Sequence, residues 1–200
     1  MKRLVCFVVL AACGVLLLGC EPQVSVFPLF TPQDALFDKQ LLGQWQIWSG
    51  KELKADDTPG VIVFSTSQEA HTYDVKIPNF DEHKDTLVTA ARLVKLGDAI
   101  FIDFGTPNID HLPLIPYPAM EGHVFGRLTL AGDKAEIDLL SDDWVKDEVK
   151  AGKMPLPFYD ASKLVLSANS QDLRKFALDH AEDSKAFSEV YTLVRKSPSR

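Results

Sequence analysis

The side chains best suited to acid–base or metal chemistry are five histidines, His71, His83, His111, His123 and His180. No two of them stand at i, i+4, and no His-Glu-x-x-His occurs, so the spacing that aims two imidazoles at one zinc ion from a helix face is missing. Asp81-Glu82-His83 and Asp110-His111 are the two acid–imidazole clusters. Both fall in turn- or loop-like sequence, where solvated polar residues are the ordinary occupants, and metal ligands are usually set closer together. Asp142 and Asp143 beside Trp144 offer a glycosidase acid with an aromatic platform. A helix N-terminus accounts for the same two acids through its dipole. His180 falls on an apolar helix stripe near a C-terminus and reads as structural. There is no Gly-x-Ser-x-Gly elbow, no phosphate-cradling glycine loop and no Gly-x-Gly-x-x-Gly. The expectation is a protein that is not an enzyme and holds neither cofactor nor metal.

Three charges interrupt otherwise apolar strand patterns. Arg92 and Arg127 would grip an anionic head group through charge-assisted contacts if they point into a barrel, and are surface residues if they point out. Asp103 shares a strand face with Ala99 and Phe101, and is either a wet-face residue or a polar group at a cavity mouth. Phe64, Phe101 and Phe125 supply aromatic surface for an apolar ligand. These six residues form the candidate ligand set.

The elements that would position them alternate with a period of two. Tyr73, Val75 and Ile77 alternate with Thr72, Asp74 and Lys76; Ala135, Ile137 and Leu139 alternate with Lys134, Glu136 and Asp138. Such segments are half-buried strands. More apolar runs span 44–49, 61–66, 87–96, 99–104, 124–130, 163–168 and 190–196. Turn signals separate many of them (Pro59-Gly60, Pro78-Asn79, Ala131-Gly132-Asp133), and Gly97-Asp98 is a short hairpin connection. About nine closely spaced strands predict an antiparallel barrel or sandwich rather than a parallel α/β sheet. Two helices interrupt them. One is capped by Ser141 and ended by Gly152. The other, over 170–181, carries Leu173, Phe176, Ala177, His180 and Ala181 on one face. The connection 105–122 holds Pro107, Pro113, Pro116 and Pro118 and reads as functional or as a cover over an opening.

Two hundred residues suit one domain with a real core, and the hydrophobic and charged fractions of 46% and 24% are those of a globular protein. A net charge of −7 speaks against nucleic acid as a partner, since no basic surplus exists to replace phosphate counterions. The three cysteines, Cys6, Cys13 and Cys20, all lie in the first twenty residues. There, Lys2 and Arg3 precede an uncharged run over 4–18, too short for a spanning helix and laid out as a secretory signal.

That run ends Leu17-Leu18-Gly19-Cys20, which resembles the lipobox of bacterial lipoproteins. The resemblance implies cleavage after residue 19, diacylglycerol on the Cys20 thiol and acylation of its new amino group. Several acyl chains anchor stably, so the partner implied is a membrane, held by the N-terminal lipid without being spanned. The competing reading is a plain secretory peptide, or an uncleaved anchor, that happens to end in Gly-Cys. Glu21, in place of the Asp that retains such proteins at the inner membrane, leans toward the outer membrane, facing the periplasm. Residues 20–41, with Pro22, Pro28 and Pro32, read as an extended spacer that either hangs free or packs along the domain.

Gly43-Gln44-Trp45, at the head of the first long strand, is similar to the Gly-x-Trp of lipocalins. That resemblance implies a barrel end closed by Trp45, with a late arginine, Arg195, across the indole; Trp45 as an ordinary core aromatic is the alternative. It covers the pattern from Leu42 to Lys196 and departs from the family in the extra helix after Ser141. The domain layout is then a signal over 1–19, a lipidated spacer over 20–41 and a lipocalin-like, mostly β barrel over 42–200. Two functions follow as expectations. In one, a small apolar or amphipathic molecule occupies the barrel. In the other, a filled barrel serves as a structural or accessory lipoprotein docked on an envelope protein.

Overall fold

The computed structural model describes residues 23–31, 33–51, 58–79, 86–106, 108–109, 122–160 and 164–196. The expected signal over 1–19, Cys20, both acid–imidazole clusters and most of the Pro-rich connection lie outside these residues. In chain order the elements are β1 (Val24–Ser25), β2 (Ala35–Leu36), a 3-10 turn (Lys39–Leu41), β3 (Gly43–Ser49), β4 (Gly60–Thr66), β5 (Tyr73–Ile77), β6 (Leu87–Leu96) and β7 (Ala99–Phe104). There follow β8 (Asn108–Ile109), β9 (Val124–Ala131), β10 (Lys134–Leu140), α1 (Asp142–Lys150), β11 (Phe158–Asp160), β12 (Leu164–Leu166), α2 (Ser170–Asp179) and β13 (Phe187–Arg195).

Eight of the nine sequence patterns form one closed antiparallel barrel, in the order β6-β5-β4-β3-β13-β10-β9-β7, and β7 returns to β6. β2 and β8 are short additions to β6. The ninth pattern, 163–168, yields β12, which belongs to a separate sheet with β1 and β11. The inward halves of the two alternations hold, with Tyr73 and Val75 of β5 and Ala135, Ile137 and Leu139 of β10 inside the barrel, but the opposite faces are not wet throughout, since Thr72 and Asp138 are buried there. Gly97 and Gly132 adopt φ of 59° and 62° in the β6–β7 and β9–β10 hairpins, a conformation that costs glycine little. On β9, Gly126 faces the Asp138–Leu139 peptide so closely that a Cβ would stand 2.7 Å from the Leu139 Cα.

α1 starts on its expected cap, Ser141, and α2 is capped by Asn169. The Ser141 Oγ accepts from the Trp144 N–H at 3.3 Å, and the Asn169 side chain accepts from the Asp172 N–H at 3.0 Å. Their apolar faces create a second core. One core lies inside the barrel, with Trp45, Phe64, Tyr73, Leu93 and Leu193 among its members. The other lies outside the barrel wall. There Val94, Phe101, Phe125 and Leu140 of the strands meet Val145 of α1, Leu173 and Phe176 of α2, and Leu164 and Leu166 of β12.

The Pro-rich segment packs along the domain from Gln23 onward. The Gln23 N–H donates to the Leu140 carbonyl at 3.0 Å, Ser25 and His123 exchange backbone bonds of 2.8 and 2.7 Å, and the Val26 N–H donates to the Leu166 carbonyl at 2.9 Å. Leu29 is fully buried in the outer core.

Candidate functional site

One end of the barrel is closed by the 3-10 turn, and three inward side chains hold it there. The Trp45 Nε1–H donates to the Leu41 carbonyl at 2.9 Å. The Tyr73 hydroxyl donates to the Asp38 carbonyl at 3.0 Å and accepts from the Asp38 N–H at 2.6 Å, and burial pushes its pKa up to about 12. Arg195 pairs with Trp45 in the β13–β3 register, lays its guanidinium 4.1 Å from the indole centroid, and donates to the carbonyls of Leu42 and Gln40. Gly43 stands beside it: a Cβ there would lie 3.0 Å from the Arg195 Nη1. Gly43, Trp45 and Arg195 thus occupy one barrel end.

Toward the opposite end the described residues enclose an open space. A cavity of about 240 Å³ lies between strands from around the barrel, walled by Ile62, Val75, Leu87, Ile137 and Leu139 and rimmed by partly exposed Ile47, Ile77, Phe104 and Tyr191. Among the described residues its lining carries no charged side chain. Thr89 is one of its few polar residues, and the Thr89 hydroxyl donates to the Gly105 carbonyl at 2.7 Å, on the strand wall itself. The volume falls just below the roughly 300–1,000 Å³ of drug-sized sites and above the ~150 Å³ apolar cavity that admits benzene. Such a space favours one small apolar molecule, because an ion or an unpaired polar group would lose its hydration there without replacement.

The candidate ligand set divides between the two cores. Phe64 is inside the barrel. Phe101 and Phe125 point outward into the second core. Arg92, Asp103 and Arg127 share that outward parity, since Leu93, Ile102 and Leu128 beside them face inward. The two arginines are therefore not head-group binders within the barrel. Arg127 donates to the Ala181 carbonyl after α2 and meets Asp138 at 2.6 Å. The Arg92 Nε donates to the Thr72 hydroxyl at 2.9 Å, and its guanidinium lies 4.4 Å over the Phe30 ring and pairs with Glu69.

Asp103 is neither wet nor at a cavity mouth. It is buried on the outer face, because the Leu29–Phe30 segment crosses above it: the Leu29 N–H donates to its Oδ2, and its Oδ1 is 2.7 Å from the His123 Nδ1. Burial raises its pKa against the pull of His123, the Leu29 N–H and Arg92. His180 packs its ring on Trp144 and Phe176, at centroid distances of 5.1 and 4.7 Å. Among the described residues no group of three acids or histidines could hold a metal ion, and no helix is long and apolar enough to cross a membrane.

The cavity walls were not picked out as a set from the sequence, although the alternation of β5 and β10 already carries Val75, Ile77, Ile137 and Leu139. Comparison with protein-family models, with curated proteins and with solved structures finds no match for this chain.

Proposed function

We propose that the protein is a lipid-anchored envelope lipoprotein, not an enzyme, whose lipocalin-like barrel holds one small apolar molecule in the open half of its interior. The observation that carries this reading is the cavity opposite the Trp45–Arg195 end, whose described lining is uncharged. A filled barrel acting only as a docking body would have no use for such a space, so the cavity favours a binder over an accessory lipoprotein. The lining narrows the ligand to an apolar molecule, or to the apolar end of an amphipathic one whose head remains outside. The lipocalin resemblance supports the reading through the same three residues, Gly43, Trp45 and Arg195. The lipid anchor rests on the Leu-Leu-Gly-Cys ending at Cys20 after a basic start and an apolar run, and outer-membrane residence facing the periplasm rests on Glu21.

Native mass spectrometry of protein purified from its own host, together with titration by an environment-sensitive fatty-acid probe, tests the binding reading. A co-purifying small apolar mass or saturable probe fluorescence is expected. An empty protein that leaves the probe unchanged overturns it.

A further inference from the structure

We propose that the outer face of the small β1–β12–β11 sheet lies against the phospholipid surface, fixing how the barrel is oriented over the membrane. The inference rests on the reading of Cys20 as the acylated residue and adds a contact surface to it. In the sheet register Val165 stands opposite Val24 on one side and Tyr159 on the other. Leu164 and Leu166 point into the outer core, so the Val24–Val165–Tyr159 row points away from it. The row is free of charge, and Tyr159 is 59% exposed. Phe27, two residues beyond β1, is 44% exposed.

The position of the chain's first described residue says what covers this face. Gln23 is buried, its N–H bound to the Leu140 carbonyl and its Nε2 to the Leu164 carbonyl at 2.9 Å. Only Glu21 and Pro22 separate it from Cys20. Three residues of fully extended chain span at most about 11 Å, so the acylated sulfur cannot lie far from the root of β1. The polar layer of a leaflet is itself roughly 5–8 Å deep. With Gln23 already held to the domain, the domain stays within contact of the lipid, and the small sheet, whose first strand starts at Val24, lies beside the point where the chain leads to the anchor. A tyrosine on an uncharged apolar row is the kind of side chain that settles at head-group level, ring in the apolar layer and hydroxyl in water.

Single-cysteine labelling tests the orientation in the mature, acylated protein, where Cys20 is blocked and no other cysteine remains. Tyr159→Cys, with Phe27→Cys as a second site, is labelled with an environment-sensitive fluorophore and reconstituted into phosphatidylethanolamine–phosphatidylglycerol vesicles carrying a quencher on the acyl chain. Ser65→Cys, exposed on β4 across the barrel from β9, is the reference. Labels at 159 and 27 are expected to be quenched several-fold more than at 65. Equal, water-like quenching at all three sites in an acylated protein overturns the orientation and leaves the anchor standing. Protection at 159 in native membranes but not in vesicles assigns the face to a protein partner and also overturns it. A mature mass showing an unmodified Cys20 overturns the anchor and the orientation together.

Discussion

The Arg195 guanidinium lies 4.1 Å from the Trp45 ring centroid while two of its nitrogens hold the carbonyls of Leu42 and Gln40. One side chain thereby fastens the first long strand, the last strand and the 3-10 turn across the barrel end. Arg195→Ala is expected to cost roughly 2–3 kcal/mol, from a partly desolvated cation–π contact and two charge-assisted hydrogen bonds. Arg195→Lys should recover little, since an ammonium cannot stack flat and fork to two carbonyls at once. Urea unfolding of both variants measures this. A lysine variant as stable as the parent would show that charge alone suffices.

Arg127 and Asp138 form a pair whose halves are not equally dispensable. Asp138 is almost wholly buried, and its Oδ1 has no partner among the described residues. Arg127→Met should therefore destabilise by about 3–5 kcal/mol, the usual cost of stranding a buried charge. The double variant Arg127→Met/Asp138→Leu should recover most of that loss. If the double variant is as weak as the single one, the bond from Arg127 to Ala181, rather than the ion pair, is what matters.

Asp103 predicts a pH dependence with a definite sign. Its folded pKa lies above the ordinary 3.8, so the folded state holds the proton more tightly than the unfolded chain does. The stability this contributes is complete below the unfolded value and is lost as pH rises through the folded one. Asp103→Asn keeps an oxygen for the Leu29 N–H and removes the titration. Unfolding midpoints measured from about pH 4 to about pH 7 should shift in the variant's favour as pH rises. A constant difference across that range would contradict the assignment.

Filling the cavity should separate binding from folding. Val75→Phe projects a ring into the empty half of the barrel, where about 240 Å³ is available. Probe affinity is expected to fall at least tenfold, or about 1.4 kcal/mol. Stability should change by less than about 1.5 kcal/mol, because the added volume displaces no packed neighbour. Unchanged probe affinity in a folded variant would place the binding elsewhere.

The barrel was legible in the sequence where one strand face is wet and silent where both faces are buried. In β5 and β10, polar residues such as Asp74 and Glu136 mark the outside, and the inward set follows from parity. In β6, β7 and β9 the outer face is covered by α2 and by the N-terminal segment, so Val94, Phe101 and Phe125 look no different from the inward Leu93, Ile102 and Leu128. The parity that united Asp103 with Phe101 was right, but nothing local told which side of the wall it faced. The Asp103–His123 and Leu29 contacts link positions 20 and 74 residues apart, and no short-range pattern encodes them. The helix caps, by contrast, are local chemistry, and Ser141 was readable at once. The Gly43–Trp45 signature and Arg195 were readable only through resemblance, because their register pairing joins the first long strand to the last and no local pattern encodes it.

A wall sealed on both sides also divides the molecule by how readily its backbone meets solvent. Amides along Leu93–Val94, Phe101–Ile102 and Phe125–Leu128 sit between two dry interiors, while those of β4 and β5 have water on one flank. Deuterium uptake should therefore be lopsided around the ring, slowest beneath the helices and fastest on the far arc, since opening the first set requires both interiors to come apart at once.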